Sequence, residues 1–170
     1  MPNIIADLER TVEHFRCRIA NQHRLQRRNP RKLAKNKPLW DLPMMSSTCC
    51  FLYPGGNRSG FYSDYSQGVK ANSYDSTPEL RDRLLQCAVV NDVRIGAVTR
   101  LPGCSNKVGH CAEPHAARKC IKDLASPHHP ISIDRLIFSI AHEIKTGEPR
   151  NPCAICQHVF PNIRIFPQFH

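Results

Sequence analysis

The sequence predicts an α/β fold, a sheet with helices packed on it, and three observations carry that reading. From Thr77 onward the pattern runs helix, one or two strands, helix, strand, helix, strand, an alternation that builds layered sheets. Hydrophobic residues make up 41% of the 170, enough for one domain with its own core plus an extension. No run of about 18 apolar residues exists, so no membrane-spanning helix is expected.

The first element is an N-terminal helix. Ile5, Leu8, Val12, Phe15 and Ile19 recur at alternating steps of three and four. That period sets one apolar stripe on a helix of about 20 residues, able to dock on the core or on another protein. Basic residues then accumulate from Arg24 to Lys37, and Pro30 and Pro38 break any continued helix. Residues 1–40 therefore read as an amphipathic helix and a basic, partly disordered linker. Residues 41–76 read as an irregular, loop-rich segment, with a turn at Tyr53-Pro54-Gly55-Gly56-Asn57 and a short strand from Cys49 to Tyr53. Phe61, Tyr62, Tyr65 and Tyr74 lie near Arg58 and Lys70. They pack this segment onto the core in one reading and stack nucleobases in the other.

Residues 77–170 read as the folded core that carries the chemistry. Ser76-Thr77-Pro78-Glu79 opens a helix, with a hydroxyl cap, Pro in the first turn and an acid at the positive end. This helix ends near Cys87, with Cys87–Val90 pairing with Val93–Arg100, or it runs to Asn91. Ile95-Gly96-Ala97-Val98 is a buried-strand candidate either way. After a loop, a second helix opens beside Cys111 and continues through Leu124, where Pro114 is tolerated in the first turn. Pro127-His128-His129-Pro130 ends it. Leu136–Ile140 is an apolar strand, Glu143–Asn151 a polar loop, Cys153–Phe160 a short helix and Ile163–Phe166 a final strand.

Charge is uneven. Ten Lys/Arg and three Asp/Glu lie between Met1 and Trp40, so +7 of the net +10 sits there. A basic segment suits a polyanion such as nucleic acid, or an anionic membrane surface; a solvated charged face is the plain alternative. The N-terminus shows no basic stretch followed by an apolar one, so no Sec-type signal is expected. With nine cysteines, an odd number, a complete disulfide framework is not expected.

Two short stretches carry the chemistry: Cys111-Ala112-Glu113 and Pro152-Cys153-Ala154-Ile155-Cys156. A catalytic zinc keeps three protein ligands and an open position, and these stretches offer three thiols. Glu113, two residues beyond Cys111 in the first turn of a helix, supplies a carboxylate that can move protons. Three thiolates bring one more negative charge than His with two Cys, which weakens a Lewis acid. Two helix N-termini opening at Cys111 and Cys153 would offset this, as would a guanidinium from Arg118 or Arg150. Cys120 reads as core, His128 and His129 as solvent-facing loop, and His115 as packing away from the metal. His142 and His158 are possible hydrogen-bonding neighbours of the site.

Gly109-His110-Cys111-Ala112-Glu113 with Pro152-Cys153-Ala154-Ile155-Cys156-Gln157 resembles the cytidine deaminase superfamily over roughly residues 77–170. The cysteine form of the first motif is similar to that of free-nucleoside deaminases. The layout, with Phe160-Pro161-Asn162-Ile163-Arg164-Ile165 after the second motif, is more like bacterial toxin-type deaminases acting on nucleic acid. The resemblance implies a cytidine deaminase-like three-layer sandwich, a mixed sheet with helices on both faces, with the N-terminal helical and basic segment as an extension. It implies Zn2+ held by Cys111, Cys153 and Cys156, with Glu113 as catalytic proton shuttle. It places the Ala112 amide near the carbonyl of the base, Asn106 as a sugar or base contact and His110 as a pocket wall. The substrate so implied is cytosine in DNA or RNA, with an immunity protein as a further partner. The protein would be cytoplasmic, or delivered into a target cell by a route unmarked in the sequence. One rival is an enzyme for a free nucleoside or small aminated heterocycle. The other is a non-catalytic, zinc-stapled nucleic-acid-binding module, its metal closed by Cys104, His110 or Cys120.

Overall fold

The computed structural model describes residues 3–28, 44–126 and 130–163. The N-terminal stripe forms α1, Ile4–Arg28, which buries Leu8, Val12, Phe15, Ile19 and His23. Ile5 of the expected stripe is only partly covered. The partner of this stripe is the domain's own sheet: α1 packs on strands β1 (Met45–Phe51), β2 (Tyr62–Tyr65) and β4 (Ala141–Glu143). Arg24, Arg27 and Arg28 belong to the helix. The expected basic linker beyond it lies outside the described residues.

β1 is the centre of a five-stranded sheet of order β2-β1-β4-β5, with β3 (Leu136–Phe138) also pairing with β1 and β5 being Pro149–Arg150. This corrects the reading of residues 41–76 as mostly irregular: the strand expected at Cys49–Tyr53 is β1, which starts earlier, at Met45, and ends at Phe51, and β2 was not expected. All pairings among the described residues are antiparallel, and the mixed sheet expected would need a strand outside them. The chain lays β3 and β4 end to end along one edge of β1. Cys49 faces Phe138 and Ser46 faces His142, a register change of one residue between the two strands. That one-residue bulge centres on Ser139-Ile140. There the Thr48 N–H donates to Ser139 Oγ at 3.0 Å and the Ser139 N–H to the Thr48 carbonyl at 2.8 Å.

Side-chain alternation along β2 shows that helices cover both faces. Tyr62 and Asp64 point to one side and meet α3 (Ala112–Leu124) through Asp123 and Lys119. Tyr65 points to the other and stacks on Phe15 of α1. The main core lies on the α3 face, where Cys49, Phe51, Leu80, Leu84, Ala117, Cys120, Phe138 and Phe160 gather.

α2, Pro78–Leu85, starts where the Pro signal placed it. Thr77 stands at the cap position, but its hydroxyl donates backward to the Tyr74 carbonyl at 3.1 Å rather than capping the helix. The helix ends at Leu85, close to the Cys87 limit and well before Asn91. Cys87–Val90 then meets Val93–Arg100 at the isolated bridge Ala88–Thr99, fixed by the Thr99 hydroxyl on the Cys87 carbonyl at 2.8 Å. The expected strand Ile95–Val98 is a buried turn: Ile95 and Ala97 are covered, Gly96 has φ +85 and Val98 is 59% exposed. The run turns at Gly96 and finds single-residue partners rather than a continuous strand: Val98 bridges Lys107, and the Gly96 N–H donates to the Val108 carbonyl at 2.9 Å. The polar segment after β4 contains β5, and α4, Ala154–Val159, follows. Residues 127–129 and most of the expected last strand lie outside the described residues.

Candidate metal centre and its cleft

Cys111 and Cys153 occupy equivalent positions, each the cap residue of a helix: Cys111 precedes α3 and Cys153 precedes α4. Both have extended backbone, with ψ of 158° and 166°. The chain thus turns into a helix immediately after each sulfur, and the first-turn amides lie close to it. Cys156 sits inside the first turn of α4. The three sulfurs lie within 4.8 Å of one another, with Cys111 and Cys153 at 3.3 Å and Cys153 and Cys156 at 3.7 Å. Thiolates around one tetrahedral ion at about 2.3 Å stand about 3.8 Å apart, so this donor set fits a metal. No fourth His, Cys, Asp or Glu joins the cluster among the described residues. Cys104, His110 and Cys120 therefore do not close it.

Glu113 is buried, and the Cys156 thiol donates to its Oε2 at 3.4 Å. Burial pushes its carboxyl up to about 7. Hydrogen bonds from Cys111, then Cys156, hold Cys153 well below the ordinary thiol range, with the Asn106 amide contributing. Cys111 is raised above it, chiefly because its proton is shared with Cys153. Burial raises Cys156. The cluster thus concentrates negative charge at Cys153, which is how a cation site prepares its ligands.

The site opens into a cleft of about 1160 Å³. Cys111, Ala112, Glu113 and Cys153 line it, with Asn106, Lys107 and His110 from the loop before α3. Asn106 donates to Cys111 Sγ at 3.6 Å, so it touches a sulfur ligand as well as facing the cleft. The His110 carbonyl accepts the Gln67 N–H at 3.1 Å, and burial lowers its imidazole pKa. Neither Arg118 nor Arg150 reaches the sulfurs as a partner. Arg118 donates to the Ser73 carbonyl at 2.8 Å and lies over Tyr74, while Arg150 lines the cleft but pairs with Glu143 and Glu148.

The remaining histidines find other roles. His115 is buried beneath α3, 3.4 Å from the Gln67 carbonyl, and burial lowers its pKa to about 4. His142 bridges Glu9 of α1 and the Gly147 carbonyl at 3.2 and 3.1 Å. His158 is exposed on α4. Cys120 is core.

The cleft has a wall that sequence reasoning missed: Met44, Met45, Tyr65, Ser66, Gln67, Ala141 and Glu143. It is built from the ends of β1 and β2 and from β4. β2 is only Tyr62-Ser63-Asp64-Tyr65, too short and without the apolar–polar alternation that would mark a strand. Entry to the site is held by Tyr74, whose hydroxyl donates to the Gly109 carbonyl at 2.7 Å. Gly109 has φ +83, and a Cβ there would stand 2.9 Å from the Tyr74 ring, so only glycine fits two residues before the first thiol. No family model, no curated protein and no solved structure matches this chain significantly.

Proposed function

We propose that this chain is a zinc-dependent nucleobase deaminase that hydrolyses cytosine to uracil in nucleic acid. The observation that carries the reading is a three-thiol donor set without a fourth side-chain ligand among the described residues, beside a buried carboxylate and an open cleft. A structural zinc site is normally closed by four protein ligands, whereas a catalytic one has three. Three clustered thiols select zinc over the harder divalent cations. The motif pair agrees with that chemistry, and the two-faced helix cover agrees with a deaminase-like sandwich.

Zinc, when bound, supplies a Lewis acid that activates water for attack. Glu113 would take one proton from the attacking water and pass it to the ring nitrogen, then carry the second proton, from the added hydroxyl, to the departing amine. A C–O bond forms at the amino-bearing carbon, its C–N bond breaks and ammonia leaves. The Ala112 amide, in the first turn of α3, orients the carbonyl of the base. Asn106 draws charge from the Cys111 thiolate through its N–H, which offsets part of the third thiolate's weakening effect. A cleft larger than the roughly 300–1,000 Å³ of small-molecule sites supports a polymeric substrate. Because Glu113 is buried, the target base must leave its stack to reach it.

The test is incubation of the zinc-loaded protein with single-stranded DNA, double-stranded DNA, RNA and free cytidine, followed by mass measurement. Conversion of cytosine to uracil in a polynucleotide is expected. Faster turnover of free cytidine would move the reading to a nucleoside enzyme. No conversion of any of the four would overturn it.

A further inference from the structure

We propose that the C-terminal half of α1 is a phosphate-binding surface that guides a single-stranded polynucleotide into the cleft. The helix is polarised in charge. Its first half carries Asp7, Glu9 and Glu13, and each is engaged: Asp7 with Arg10 and Arg58, Glu9 with His142, Glu13 with Arg16. Residues 18–28 contain no acid. Arg24, Arg27 and Arg28 are exposed there and form no ion pair among the described residues. The helix dipole accounts for cations in a last turn, but not for the absence of every acid across the second half.

Position gives these cations a use. α1 runs along the sheet toward the open end of β1: Glu9 accepts the Ile140 N–H at 2.9 Å, and Arg16 donates to the Ile144 carbonyl at 2.8 Å. Ile19 then packs with Ile144, and Ala20 and Tyr65 join them. Tyr65 is a wall of the cleft. Arg24, Arg27 and Arg28 therefore stand about 6–12 Å beyond a cleft wall along the helix. Lys107, also exposed and without an ion pair among the described residues, lines the cleft itself. Phosphates flanking a base seated at Glu113 would meet Lys107 and then the arginines. A single strand reaches a buried carboxylate at the least cost, because a duplex must first unpair and unstack the base.

The inference rests on the deaminase reading only for what happens in the cleft, since binding is measured without turnover. The triple variant Arg24→Gln, Arg27→Gln, Arg28→Gln and the parent chain are compared by fluorescence anisotropy with labelled single-stranded DNA and RNA across a salt series. Binding by the variant should be about tenfold weaker, with a salt slope shallower by about 2, the value for three lost contacts to a single strand. Melting temperature and zinc content should match the parent, which excludes misfolding. Equal affinity and slope in both proteins would overturn the proposal. So would parent binding to anionic phosphatidylserine vesicles without binding to either oligonucleotide.

Discussion

Cys49, Cys50, Cys87 and Cys120 share a side chain with Cys111, Cys153 and Cys156, yet the two groups do different work. The first group lies on or beside the bodies of regular elements, wholly buried. Burial raises Cys50 and Cys87 to about 11 and takes Cys49 higher still, so these thiols stay protonated and act as small apolar fillers. The second group stands where two helices begin, beside a carboxylate and an open cleft. There Cys153 alone is pushed the other way, because neighbouring donors stabilise its thiolate, while Cys111 and Cys156 are raised as the fillers are. Position on the element, rather than burial alone, separates filler from ligand.

The largest expected effect breaks the second group. Cys153→Ser or Cys156→Ala should abolish stoichiometric zinc, measured by elemental analysis after gel filtration, and with it turnover. Cys120→Ala or Cys50→Ala should keep zinc. Loss of zinc in the core variants would erase the distinction between the groups.

A second test strains the support of the site. Gly109→Ala puts a Cβ against the Tyr74 ring at a left-handed φ. It should cost about 1–3 kcal/mol in denaturant unfolding. Restoring space with Tyr74→Leu should recover part of that loss, though it also removes the hydroxyl's bond to the Gly109 carbonyl. A neutral Gly109→Ala would mean that the approach to Cys111 is not held by Tyr74.

Cys120→Ala removes one buried sulfur at full cover, comparable to a methylene group, and should destabilise by about 1 kcal/mol. The smallest effect lies outside both groups and gives their baseline. Glu9 raises the His142 pKa above 6.5, so this pair stabilises fully below pH 6.5 and weakens as pH rises through the folded value. His142→Gln should flatten the pH dependence of stability in that range and leave zinc content unchanged. A change in zinc content would place His142 among the groups that govern the site.

The site was more legible than the sheet. Cys111, Glu113, Cys153 and Cys156 stand out because cap positions, an early Pro114 and the Cys-x-x-Cys step are local signals. Only the end of β1, from Cys49, was readable, because the strand is Met-Ser-Ser-Thr-Cys-Cys-Phe, buried from Ser46 onward with no apolar–polar alternation. Two of its three hydroxyls find partners that only the fold supplies: Thr48 pairs with Ser63 at 2.6 Å, and Ser46 with the His142 carbonyl at 3.3 Å. Ile95–Val98 misled in the opposite direction, since an apolar run needs a neighbouring strand to become one. The α1 stripe was readable, but the choice between the core and another protein as its partner was not, because most of the sheet it docks on is polar in sequence.

The central claim is that Glu113 moves protons beside a three-thiolate zinc. It is tested most directly by Glu113→Ala, with zinc content and ammonia release measured on the same preparation with a cytosine-containing single strand. The account predicts zinc equal to the parent and no ammonia. Ammonia release at the parent rate with zinc retained would contradict it.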